Sequence, residues 1–109
     1  MRINPYPKPT VHAKDGAFLA FLREQRCWCC RQRGLVQQYP TEAAHLESRR
    51  YGDAENAIPL CSWHHKDSPN AYHRLGKGWG QYWQTDPKGL ALAYYQEFTQ
   101  LAGFPACAW

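Results

Sequence analysis

No run of apolar residues in this 109-residue chain approaches the ~18 that a membrane-spanning helix needs. Charge is sparse as well, at 20% Asp, Glu, Lys and Arg, which sets the chain apart from charge-rich disordered segments and coiled coils. There is no internal repeat and no low-complexity tract, so solenoids and collagen-like fibres are excluded. The opening MRINPYPKPTVHAKDG lacks the apolar centre of a signal peptide, and a cytoplasmic protein is expected. At this length one small domain is expected, with a core thin enough to profit from a metal or disulfide staple.

What the chain does have is aromatic side chains, prolines and cysteines. Aromatics make up 15% of it, and eight prolines punctuate it. Thirteen Lys and Arg against nine Asp and Glu give a formal net charge of +4. That balance permits an anionic partner without demanding one.

The cysteines carry the sharper signal. There are five, Cys27, Cys29, Cys30, Cys61 and Cys107, an odd number that cannot pair completely. Cys27 and Cys30 form a C-x2-C knuckle, and Cys61 and His64 form a C-x2-H knuckle about thirty residues later. Two residues between ligands let a tight turn aim both side chains at one cation. Two such turns complete the tetrahedron that Zn2+ prefers, here with three thiolates and one imidazole. Cys29 could replace Cys27 or Cys30, at the cost of the usual spacing. Cys107 reads as a spare thiol.

Pro5, Pro7 and Pro9 make residues 1–14 an extended arm, and residues 15–109 a single domain. Asp15 is placed to cap a helix over residues 16–25, and residues 42–48 suit a strand or one helical turn. Residues 49–57 have loop composition, and a helix beginning near Cys61 would carry His64 and His65. Ser68-Pro69 reads as the start of another short helix ending at Gly76. Asp86-Pro87 opens the clearest helix, about residues 87–102, with Leu90, Tyr94, Phe98 and Leu101 on one side. Trp79, Tyr82, Trp83, Tyr94, Tyr95 and Phe98 are expected to pack that helix onto the zinc module.

Between and beyond the knuckles, the pieces Ala43-Ala44-His45-Leu46 and Asn56-Ala-Ile-Pro-Leu-Cys61-Ser-Trp-His64-His65 resemble the HNH endonuclease family, including small phage and prophage members. The resemblance covers about residues 27–75. It implies an α+β domain with a ββα-metal motif, flanked by helices and stapled by a separate structural zinc. It further implies that His45 is the general base, that Asn56 holds the intervening loop, and that His65 ligates a catalytic Mg2+ or Mn2+. Many relatives carry an Asp or His immediately before the base, where this chain has Ala44. His73 is the best substitute as metal ligand, with Glu42 and Asp53 weaker ones. Ser68-Pro69 interrupts the helix between His65 and His73, so one shared helical face is not expected.

The chemistry suits these residue types independently. Hydrolysing a phosphodiester requires water to lose a proton near neutral pH, where imidazole titrates. It also requires charge on the phosphate and leaving oxygen to be neutralised, the work of a divalent cation. Arg31, Arg33, Arg49 and Arg50 could track a phosphate backbone. The expected activity is therefore metal-dependent cleavage of DNA, with RNA left open, by a monomer or homodimer. The runners-up are a zinc-stabilised nucleic-acid-binding module without catalysis and a protein-interaction zinc domain.

Overall fold

The structure, a computed structural model, describes residues 8–47 and 55–102, with the side chains of 16–47 and 55–101. It is a small α+β arrangement centred on a two-stranded sheet. Helix α1 (Lys8–Arg23) and the six-residue α2 (Trp28–Arg33) precede strand β1 (Thr41–His45). Strand β2 (Ala57–Cys61) follows, then a π-helical turn (Trp63–Asp67) and α3 (Tyr72–Leu75). A 3-10 turn (Gly76–Gly78), α4 (Trp79–Trp83) and α5 (Pro87–Ala102) complete the described chain. Helix α5 spans the residues where a helix of about 87–102 is expected. No helix among the described residues is long and apolar enough to cross a membrane.

The first helix corrects the sequence reading. It starts at Lys8 rather than after Asp15, so residues 8–14 of the expected extended arm are helical. Proline is compatible with a first helical turn, where its missing N–H has no partner to lose, and Pro9 sits there. No proline follows it until Pro40, so nothing interrupts the helix through Arg23. Residues 1–7 lie outside the described residues.

β1 and β2 pair antiparallel, with Thr41 opposite Cys61 and His45 opposite Ala57. Side chains alternate across a strand, so the sheet separates two apolar clusters. One cluster holds Ala44, Ile58 and Leu60 with the cysteines, Trp79, Trp83 and Ala91 of α5. The other holds Ala57 with Phe18, Leu19 and Leu22 of α1 and Tyr94, Tyr95 and Phe98 of α5, and Ala43 packs on it. Trp79 and Trp83 thus pack with Ala91 of α5 on the metal module, whereas Tyr94, Tyr95 and Phe98 pack against α1 instead and Tyr82 is about half exposed. The buried side of α5 includes Ala91, Tyr95 and Thr99, whereas Leu101 is 71% exposed.

Candidate metal centre and histidine site

Local chain chemistry builds the first knuckle. Cys27 caps α2, its Sγ accepting from the Cys30 backbone N–H at 3.5 Å. Gly34 ends that helix in the left-handed region (φ 63°), a conformation that costs glycine little. Leu35 then donates its N–H back to the Cys30 carbonyl at 2.9 Å, which reverses the chain. Gln37, a residue that sequence reasoning passed over, ties the knuckle to the sheet. Its Oε1 accepts from the Cys27 N–H at 2.7 Å, and its Nε2 donates to Thr41 Oγ1 at 2.7 Å. The Thr41 hydroxyl in turn donates to the Gln25 carbonyl.

The second knuckle leaves β2 at Cys61 and enters the π-helical turn, closed by the Ser68 N–H donating to the Trp63 carbonyl at 2.8 Å. His64 Nδ1 lies 3.6 Å from the sulfurs of Cys27 and Cys30 and 3.4 Å from that of Cys61. The Cys30 and Cys61 sulfurs are 4.0 Å apart. All four donor atoms lie within 4.8 Å of one another and all four residues are buried. Metal–ligand bonds of about 2.3 Å to sulfur and 2.05 Å to nitrogen give tetrahedral edges of about 3.6 Å (S to N) and 3.8 Å (S to S). The cluster therefore has the dimensions and donors of a Cys3His zinc site, and among the described residues it is the group able to hold a metal in this way. The Trp83 ring meets His64 edge-on at 5.9 Å and fixes its plane.

Electrostatics agree with that fit. Hydrogen bonding with the Cys29 thiol pulls Cys27 down to about 4, so one sulfur is readily a thiolate. Burial, then the Cys27 charge, pushes Cys30 up to about 12, and burial also raises Cys61. Packed together, the thiols resist further ionisation until a cation offsets their charge. Cys29 is buried beside them but outside the four-ligand set, and its thiol is driven strongly upward, first by its hydrogen bond with Cys27. Cys107 lies outside the described residues.

Neighbouring residues on a helical turn diverge by roughly 100°. His65 therefore turns away from the cluster that holds His64. Its Nδ1 lies 2.7 Å from Glu42 Oε1 of β1, and its Nε2 lies 3.1 Å from Nε2 of His73. Burial holds the His65 imidazolium pKa below its ordinary value, against the pull of Glu42, which favours the neutral ring that ligates metals. His73 comes from α3, which starts at Tyr72 rather than at Ser68-Pro69. Instead the Asn70 N–H donates to Ser68 Oγ, and this bend returns the chain so that His73 meets His65 from a separate helix.

Asn56 is 6% exposed at the head of β2. Its Oδ1 accepts from the Glu47 N–H at 3.0 Å, and its Nδ2 donates to the Glu47 carbonyl at 3.3 Å. The chain that leaves β1 is held from both sides. His45 ends β1, half-buried, opposite Ala57. Strand alternation sends Glu42 and Ala44 to one face and His45 to the other, and Ala44 is wholly buried. The structure thus joins His65 to His73 and Glu42, and His45 stands three residues along the same strand.

Of the four arginines, Arg33 lies over the Trp83 ring at 4.5 Å, close to Tyr82, and Arg31 is exposed on α2. Arg49, Arg50 and Asp53 lie outside the described residues. A family model described as "Recombination enhancement, RecA-dependent nuclease" matches residues 9–94. No solved structure matches the chain.

Proposed function

The chain belongs to the RecA-dependent nuclease family, and on that premise we propose that it is an HNH-type, metal-dependent endonuclease hydrolysing phosphodiester bonds in DNA. The carrying observation is the pair of imidazole nitrogens, His65 Nε2 and His73 Nε2, 3.1 Å apart. Adjacent ligands on one cation at ~2.1 Å are separated by about 3.0 Å at octahedral angles. Two imidazole nitrogens would leave the other positions of a divalent cation to water and substrate oxygens. Between Mg2+ and Mn2+ the imidazole pair favours Mn2+, since Mg2+ takes oxygen ligands by preference. Bound there, the cation would neutralise charge on the scissile phosphate and on the leaving oxygen.

The remaining work falls to the chain's own groups. Glu42 accepts a hydrogen bond from His65 Nδ1–H, which fixes the tautomer and leaves the Nε2 lone pair toward His73. His45, at the end of β1, is assigned to take the proton from the attacking water. Asn56 holds the Glu47 backbone so that the end of β1 keeps its place. The Cys3His cluster keeps α2, β2 and the π-helical turn in register, and that turn carries His65 next to the zinc ligand His64.

Supercoiled plasmid incubated with Mn2+, in the presence and absence of RecA, tests the reading. Nicking by the parent, lost in His65→Ala and in His73→Ala while zinc content stays at parent level, is the expected result. A parent that binds DNA yet cuts none under either condition would establish the non-catalytic binding module in its place.

A further inference from the structure

Large apolar side chains left in water are scattered on an ordinary surface, and here they are not. Seven are exposed among the described residues, and four of them, Leu35, Val36, Tyr39 and Trp63, line one cavity of about 340 Å3. That volume lies at the lower end of the ~300–1,000 Å3 range of small-molecule sites. Tyr39 and Trp63 are 46% and 43% exposed, with rings nearly parallel (22°) and centroids 6.5 Å apart. Gln38 adds an amide at the wall, and Cys30, Cys61 and His64 form the floor.

Charge narrows the occupant. Of the cations in the segments that build the cavity, Arg31 lies beside Tyr94, Arg33 lies over the Trp83 ring and Lys66 is 3.9 Å from the Glu42 carboxylate, which leaves Arg26. Arg26 stands at the rim, its Nη2 donating to the Leu35 carbonyl at 2.7 Å. Two of the three floor residues are sulfur ligands, which bind a cation as thiolates and so disfavour a phosphate directly above them. An uncharged flat ring fits that floor, and a phosphate fits the rim. Trp63 lies two residues before His65 on the same turn, so the two side chains leave it in different directions.

We propose that the Tyr39–Trp63 cavity takes an unpaired nucleobase from a single-stranded stretch of the DNA substrate, with a neighbouring phosphate on Arg26. This rests on the nuclease reading and adds a strand preference to it. Every base has a stacking face, so the site would choose unpaired over paired DNA rather than one sequence over another.

Fluorescence anisotropy with full-length protein, without added divalent cation, measures the effect on three probes of equal length: oligo(dT), an abasic oligonucleotide and a blunt duplex. The parent should bind oligo(dT) most tightly. Trp63→Ala and Tyr39→Ala should each weaken oligo(dT) binding about 5- to 100-fold, the scale of one lost base stack, and leave the abasic probe within two-fold. Trp63→Phe should retain most of the affinity. Because Trp63 adjoins the metal cluster, zinc content and melting temperature are measured alongside. Val36, 85% exposed, supplies a variant that does not touch the core, and Val36→Glu should also weaken oligo(dT) selectively. Parent-level oligo(dT) affinity in Val36→Glu and in a folded Trp63→Ala overturns the proposal while leaving cleavage untouched. So does loss, in these variants, of a self-association shown by the parent in sedimentation, which would make the face a contact between copies. A parent that neither binds nor cuts DNA would instead remove the nuclease reading itself.

Discussion

Asn56→Ala separates what a side chain does for stability from what it does for cutting. The amide makes two hydrogen bonds to the backbone of Glu47, at 3.0 and 3.3 Å, from a position only 6% exposed. Alanine removes both. Glu47 is itself exposed, so water can partly replace them, and the cost should fall near the net value of two bonds, about 1–3 kcal/mol. In a domain of this size each kcal/mol lowers the melting temperature by about 4–8 °C, so a fall of about 5–20 °C is expected in a circular-dichroism melt. Glu47→Ala is the matched control. It keeps the backbone groups that Asn56 holds and loses a surface contact with Lys88 at 3.3 Å, worth at most about 1 kcal/mol. The second readout is plasmid nicking at 25 °C, where the variant remains folded. If Asn56 fixes the end of β1 for His45, nicking should drop well beyond the small unfolded fraction. A melt within 2 °C of the parent would show that the two bonds contribute nothing. A lowered melt with parent-level nicking would confine Asn56 to stability and refute its positioning role.

Zinc should copurify at about one ion per chain, by metal analysis, and Cys27→Ser, Cys30→Ser, Cys61→Ser and His64→Ala should each lose it. Because a structural zinc contributes about 10–16 kcal/mol against a typical total stability of 5–15, those variants should be unfolded or aggregated in circular dichroism. Cys29→Ala should keep both zinc and fold, since that thiol stands outside the four-ligand set. His45→Ala should keep fold, zinc and DNA binding while nicking falls roughly 10²-fold or more; parent-rate cutting would remove His45 as the base. Glu42→Gln should weaken Mn2+ binding about 10- to 100-fold in calorimetry with zinc content unchanged, and an unchanged Mn2+ affinity would show that the carboxylate does not orient His65.

The four residues of the Cys3His cluster were legible from the sequence because their geometry is local. Cys27 caps the helix that carries Cys30, three residues on, and Cys61 and His64 repeat the same separation across a strand end. Short spacings of that kind survive any tertiary arrangement, and so does the helix over Pro87–Ala102, with its own start signal and period. Asn56 was singled out through the family resemblance, and both functions of its amide reach the Glu47 backbone. The extent of the first helix was misread because alternating prolines look extended, although the last of them can occupy a first helical turn without cost. His73 and Glu42 were named from the sequence only as candidate substitutes for a missing metal ligand, and their arrangement about His65 was not legible. These residues lie on the π-helical turn, α3 and β1, and only the return of the chain at Ser68–Asn70 and the β1–β2 register bring them together. The exposed pair Tyr39 and Trp63 was hidden for the same reason. Hydropathy marks aromatics as core, and which of them stay outside depends on how much core the strands and helices of the described residues can enclose.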